Sequence, residues 1–139
     1  MSNIISISIS VLGSSLITLL LSSLVLQPMQ EKKKYIFTEK KRIYESIIIF
    51  AQIALFPQEA KYSLQVEQYD IQKLSDKENV ENAINNLKMS IPKLWLIAKD
   101  DSLVNEVEKF IEKKSTEQFN ILVLRFRDDL YNRHTKRRK

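Results

Sequence analysis

Groups able to do acid–base, nucleophilic or metal chemistry are few in this chain and are poorly placed for it. Carboxylates occur as two adjacent pairs, Asp100/Asp101 and Asp128/Asp129. Paired carboxylates do general acid–base work when they face one another across a substrate. Neighbours in sequence, on or just before a helix, point in different directions. Asp100 and Asp101, followed by Ser102, are better suited to accept hydrogen bonds from the free amides that open a helix. Arg125 and Asp129, four apart, are expected to pair on the surface of the last helix, a contact of small energetic weight. The one histidine, His134, sits in a basic tail, and the absence of cysteine excludes thiolate nucleophiles, thiolate metal sites and disulfides. The one glycine, Gly13, lies in an apolar segment, so glycine-rich phosphate loops are excluded as well. No constellation completes a catalytic site. The expectation is a protein that is not an enzyme and uses no cofactor and no metal.

What remains is the chemistry of hydroxyls and cations. Ser6, Ser10, Ser14, Thr18 and Ser22 recur every four residues within the apolar segment that also holds Gly13. Small residues at that spacing let two membrane helices approach closely and hydrogen-bond across the contact, so Ser6, Ser10, Gly13, Ser14, Thr18 and Ser22 form a candidate packing face. A first basic group, Lys32, Lys33, Lys34, Lys40, Lys41 and Arg42, follows this segment and is expected at the membrane surface, where anionic lipid is available. A second group, Arg133, Lys136, Arg137, Arg138 and Lys139, forms the tail. It is read as a solvated end, as a contact for anionic lipid, or as a contact for nucleic acid or ribosome. Aromatic side chains are not interleaved with it beyond Tyr131, so no base-stacking platform is visible.

These groups must be positioned by helices. Ile4 to Leu26 carries no charge, and as a helix it would reach roughly 35 Å, enough to cross a hydrocarbon core of about 30 Å. The alternation from Ile5 to Val11 has a strand's period, but it is too short to compete, and Met1-Ser2-Asn3 lacks the basic start of a secretion signal. Basic residues follow the segment and none precedes it, which places the N-terminus outside and the body in the cytosol. The layout is an anchor over residues 1–29, a helical body over 30–132 and a basic tail over 133–139. In the body, Ile36, Ile43, Ile47, Phe50 and Ala54 predict a helix from Gln30 to Phe56, ended by Pro57. Glu59 to Leu74 has mixed periodicity and is taken as helix. Val80, Ile84, Leu87, Ile91, Leu94 and Ala98 keep one phase through Pro92, which predicts a single kinked helix with Trp95 beside its stripe, as a core or boundary residue. A short helix carries Val104, Val107, Phe110 and Ile111. Ser115 and Gln118 then match a capping box that opens a last helix with Phe119, Leu122, Phe126 and Leu130 on one face. The fold class is all-α: a single N-terminal transmembrane helix followed by a four- to five-helix antiparallel bundle.

The uncharged span, the segment Lys40-Lys41-Arg42-Ile43-Tyr44-Glu45, the stretch from Leu94 to Asp101 and the ending Arg125-Phe126-Arg127-Asp128-Asp129-Leu130 together resemble small bacterial single-span membrane proteins that end in an Arg-x-Asp-Leu-like helix. The doubled Asp128-Asp129 departs from that form. The resemblance implies the layout and an inner-membrane setting, and no activity. The expected function is a membrane-tethered helical module that binds itself or a protein partner at the cytoplasmic face. The alternative is a small oligomeric effector whose serine-rich spans permeabilise the bilayer.

Overall fold

The computed structural model describes residues 19–20, 22–63 and 70–131. Among them every regular element is helical. The chain divides into two compact units, Met1–Thr38 and Glu39–Lys139.

In the first unit a π-helical turn, Ser22–Leu26, leads into α1, Gln27–Leu55, which continues into the second unit. The sequence predicts a bend at Pro28 and a helix beginning at Gln30. The helical run is instead already under way ahead of Pro28, as the π turn Ser22–Leu26 that passes directly into α1 at Gln27. The side chains of Leu24, Val25, Leu26 and Met29 are exposed. No helix among the described residues is long and apolar enough to cross a membrane. Most of Ile4–Leu26 lies outside the described residues, including Ser6, Ser10, Gly13, Ser14 and Thr18 of the packing face, and so does the tail from Arg133 to Lys139. Ser22 alone of that face is described, in the π turn.

The second unit is a helical bundle. The buried stripe of α1 is Lys40, Tyr44, Ile47, Ala51 and Ala54, with Ile53 beside it. Phe56 leaves the helix in a non-helical conformation and Pro57 opens α2, Pro57–Lys61. Proline is tolerated at that first position because its missing amide would have no intrahelical partner there. Of the segment taken as helix from Glu59 to Leu74, only the end of α2 and a 3-10 turn, Ile71–Lys73, are helical among the described residues. Helix α3, Asp76–Ile97, keeps its phase through Pro92 and buries Ala83, Ile84, Leu87 and Leu94. Helix α4 is Ser102–Lys113 and helix α5 is Thr116–Tyr131. Helix α2 packs on α3, α3 on α4, and α4 on α5. Val107, Phe110 and Leu122 are wholly removed from water, and each such side chain contributes about 1.5–3 kcal/mol.

With no glycine in this unit, the turns use other residues. Lys114 adopts φ 47, ψ 48 just past α4, and its N–H returns to the Phe110 carbonyl at 2.8 Å. Asp70 does the same ahead of the 3-10 turn, at φ 52. A left-handed residue with a Cβ costs roughly 1–2 kcal/mol, here offset by the reversal that lets α5 pack back on α4.

The start of α3 is the best-capped of these helices. Ser75 Oγ accepts from the Glu78 N–H at 3.3 Å, and the Ser75 N–H donates to Glu78 Oε2 at 2.8 Å, a reciprocal capping box. Lys61 reaches Asp76 Oδ1 at 2.8 Å, tying α2 to the same turn. The Ser75 amide and hydroxyl hold the Glu78 carboxyl below the usual carboxylate range, and hydrogen bonds from Lys61 and then Gln58 do the same for Asp76. Because both groups are more acidic in the folded chain, the stability they add is present above about pH 4 and is lost as the pH falls through that region. Ser75→Ala is therefore expected to cost about 1 kcal/mol in urea unfolding at neutral pH. Its stability should also fall less steeply below pH 5 than that of the native chain. Parallel acid limbs for the two proteins would count against this account of the cap.

Candidate functional site

Two charged side chains expected on the surface meet inside the second unit. Lys40 continues the buried stripe of α1 one turn ahead of Tyr44, and Asp129 continues the stripe Leu122–Phe126 of α5. Lys40 Nζ donates to Asp129 Oδ2 at 2.7 Å, and the Tyr44 hydroxyl donates to the same oxygen at 2.6 Å. The two ionised side chains are only 6% and 8% exposed. The Tyr44 ring stacks on Phe126 with centroids 4.3 Å apart and planes 10° from parallel. Loss of water around the phenol, and then the hydrogen bond to Asp129, push its pKa far above the ordinary value, so Tyr44 stays protonated and remains a donor.

This cluster corrects two expectations. Lys40 is not a headgroup contact, because its ammonium is taken out of water by a carboxylate carried on the last helix. Asp129 does not pair with Arg125, because its side chain faces inward. Of the other basic residues assigned to the membrane surface, Lys32, Lys33 and Lys34 are exposed. Lys41 lies 3.7 Å from Glu45, and Arg42 donates to Glu39 at 2.9 Å. A buried tyrosine held protonated against a carboxylate has alkaline consequences. The stability it adds is complete below about pH 10, the ordinary tyrosine value, and declines as the pH rises above it, because only the unfolded chain ionises there. Tyr44→Phe should therefore show a flatter loss of stability between pH 9 and pH 11 in urea titrations. An alkaline limb identical to that of the native chain would remove this role.

A second polar pair links α4 to α5. Gln118 Nε2 donates to Glu106 Oε2 at 2.6 Å, with Glu106 7% exposed. The predicted capping box is half formed: the Gln118 N–H reaches Ser115 Oγ at 3.2 Å, while the Gln118 side chain turns to Glu106. The capping expected of Asp100 and Asp101 is met in part: Asp100 Oδ1 accepts from the Ser102 N–H at 2.9 Å from one position before the cap, while Asp101, the N-cap itself, makes no side-chain cap hydrogen bond.

α1 and α3 also form an open groove of about 380 Å³, with Ile43 and Ile49 as apolar lining and Arg42, Glu45, Ser46, Ser90 and Lys93 as polar lining. Ser90 Oγ is occupied by the Asn86 carbonyl at 2.8 Å. The groove offers hydrogen-bonding groups of both charges over an apolar base. Among the described residues no group of three or more histidine or acidic side chains could hold a metal ion.

The fold and these features define an all-helical bundle locked by a buried ion pair. No known family matches the sequence, and no curated protein or solved structure is significantly similar to it.

The cluster was detectable in principle. Lys40, Tyr44, Ile47, Ala51 and Ala54 keep a four-and-three step, as do Leu122, Phe126 and Asp129, so each apolar stripe carries one opposite charge.

Proposed function

We propose that the chain is a non-enzymatic, membrane-tethered helical module that associates with itself at the cytoplasmic face of a bacterial inner membrane. The observation that carries this reading is the uncharged stretch Ile4–Leu26 followed by Lys32-Lys33-Lys34, the pattern of a span held by basic residues on its cytoplasmic side. The small residues at four-residue spacing within it supply a contact face for a second copy. Resemblance to small single-span bacterial membrane proteins points the same way.

The absence of native cysteine gives a clean test. In membranes, Ser14→Cys is expected to form disulfide dimers on oxidation, because it lies on the small-residue face, whereas Leu16→Cys on the opposite side is not. The protein should stay with the membrane after alkaline carbonate extraction. A carbonate-soluble chain removes the tether, and equal crosslinking at both positions removes the specific face. The recurrence of hydroxyls from Ser6 to Ser22 also favours a second reading, an oligomeric effector that permeabilises the bilayer. Expression that collapses the membrane potential selects it over the first.

A further inference from the structure

The second half of α3 presents an outward face that neither the buried cluster nor the cap uses. From Asn82 to Lys99 the chain holds no acidic residue, and its only charges are Lys88, Lys93 and Lys99. Leu87 and Leu94 fix the rotation of this helix by pointing into the core with no exposure. Lys88, Pro92 and Trp95, and beside them Met89, Lys93 and Leu96, form two rows with four- and three-residue steps that share the opposite side. There Met89 is 72%, Trp95 53% and Leu96 87% exposed. Lys99 is exposed just past the helix end. A lone exposed leucine needs no explanation, but large apolar side chains grouped with charges of a single sign do.

The sequence places Trp95 in the core or at its boundary; over half of it faces water. That placement, with lysines around it, is the composition of a helix that lies in a membrane interface, its indole at headgroup level and its cations over the phosphates. We infer that this face of α3 docks on an anionic bilayer surface, with Trp95 and Leu96 entering the interface and Lys88, Lys93 and Lys99 over the headgroups. Glu45, which lines the groove beside Lys93, is engaged by Lys41. A second copy is a poor occupant, because a symmetric contact would bring two lysine-bearing faces together. Nucleic acid would match the lysines but would leave Leu96 and Met89 in water. The inference builds on the tethered reading: a span that keeps the bundle at the membrane raises the effective concentration of lipid, so a contact of three lysines and a few apolar side chains suffices.

Trp95 is the single tryptophan of the chain, so its fluorescence reports this face alone. The full chain would be reconstituted in vesicles of phosphatidylcholine and in vesicles of equal parts phosphatidylcholine and phosphatidylglycerol. With the anionic lipid, Trp95 emission should shift to the blue, resist acrylamide and be quenched by lipids brominated near the headgroup. In phosphatidylcholine alone it should stay accessible to acrylamide. Changing Lys88, Lys93 and Lys99 together to glutamine should lower the docked-to-undocked ratio by roughly 100-fold, a substitution confined to exposed side chains that leaves the bundle folded. Emission and acrylamide quenching identical in the two vesicles overturn the inference. A blue shift that ignores lipid charge and grows with the protein-to-lipid ratio also overturns it, in favour of a second copy. Carbonate extraction of the same vesicles judges the tether separately: an extractable chain whose Trp95 still enters anionic lipid keeps the docking face and loses the anchor.

Discussion

Asp129→Ala is expected to destabilise the helical body by about 3–5 kcal/mol, the range for removing one partner of a buried ion pair. The loss comes less from the missing attraction than from what remains. Lys40, 6% exposed at its side chain, would keep a buried ammonium without its carboxylate, and the Tyr44 hydroxyl would lose the acceptor it holds at 2.6 Å. Some relief is open to Lys40, whose aliphatic stem lets the ammonium move toward water. That sets the expectation nearer the lower end of the range. Against a typical stability of about 5–15 kcal/mol the effect is large. Replacing the cluster as a unit should behave differently: Lys40→Met, Tyr44→Phe and Asp129→Leu together leave no buried polar group unpaired and should restore stability to about the native level. Urea unfolding followed by circular dichroism decides both. An Asp129→Ala protein within about 1 kcal/mol of the native chain contradicts the cluster as a clamp.

A change of orientation is the second large effect. A reporter active only in the cytosol should work when fused after Lys139, and one active only outside should not, because the lysine run after Leu26 retains that side. Adding several lysines after Met1 while changing Lys32, Lys33, Lys34, Lys41 and Arg42 to glutamine should exchange the two reporter signals. Lys40 must be left in place in this experiment, since its loss would strand Asp129 and confuse misfolding with inversion. Unchanged signals in the recharged chain would show that the run does not set orientation, and an external C-terminus in the native chain would end the cytosolic reading.

The helices of the second unit were legible because their apolar steps are long and unambiguous. Val80 to Ala98 holds one phase for six positions, and Pro92 does not shift it. Pro57 also stopped and restarted the chain where its missing amide required. The predicted stripe of α1 holds in part. Of Ile36, Ile43, Ile47, Phe50 and Ala54, Ile47 and Ala54 are buried and Ile43 and Phe50 pack against the core, but Ile36 is 43% exposed and the fully buried line includes Lys40, Tyr44 and Ala51. Hydrophobicity alone ranks a lysine off the core, and the carboxylate that makes its burial tolerable is 89 residues away. Local spacing offers Arg125 as a partner for Asp129, whereas the step from Leu122 and Phe126 to Asp129 places its carboxylate on the buried side; the tertiary contact decides for the second. The capping box at Ser75 followed the same rule as that at Ser115, yet it was hidden by the mixed periodicity ahead of it, where no apolar phase marks a helix start.

The separation of Lys40 from Asp129 also sets a timetable for synthesis. At about 5–20 residues per second, the ribosome needs roughly 4–18 s to go the 89 positions from Lys40 to Asp129. Throughout that interval the first helix of the bundle is without its counter-charge. A nascent chain arrested anywhere before Asp129 carries an uncompensated lysine on its apolar stripe, and is open to proteases and chaperones until the last helix emerges.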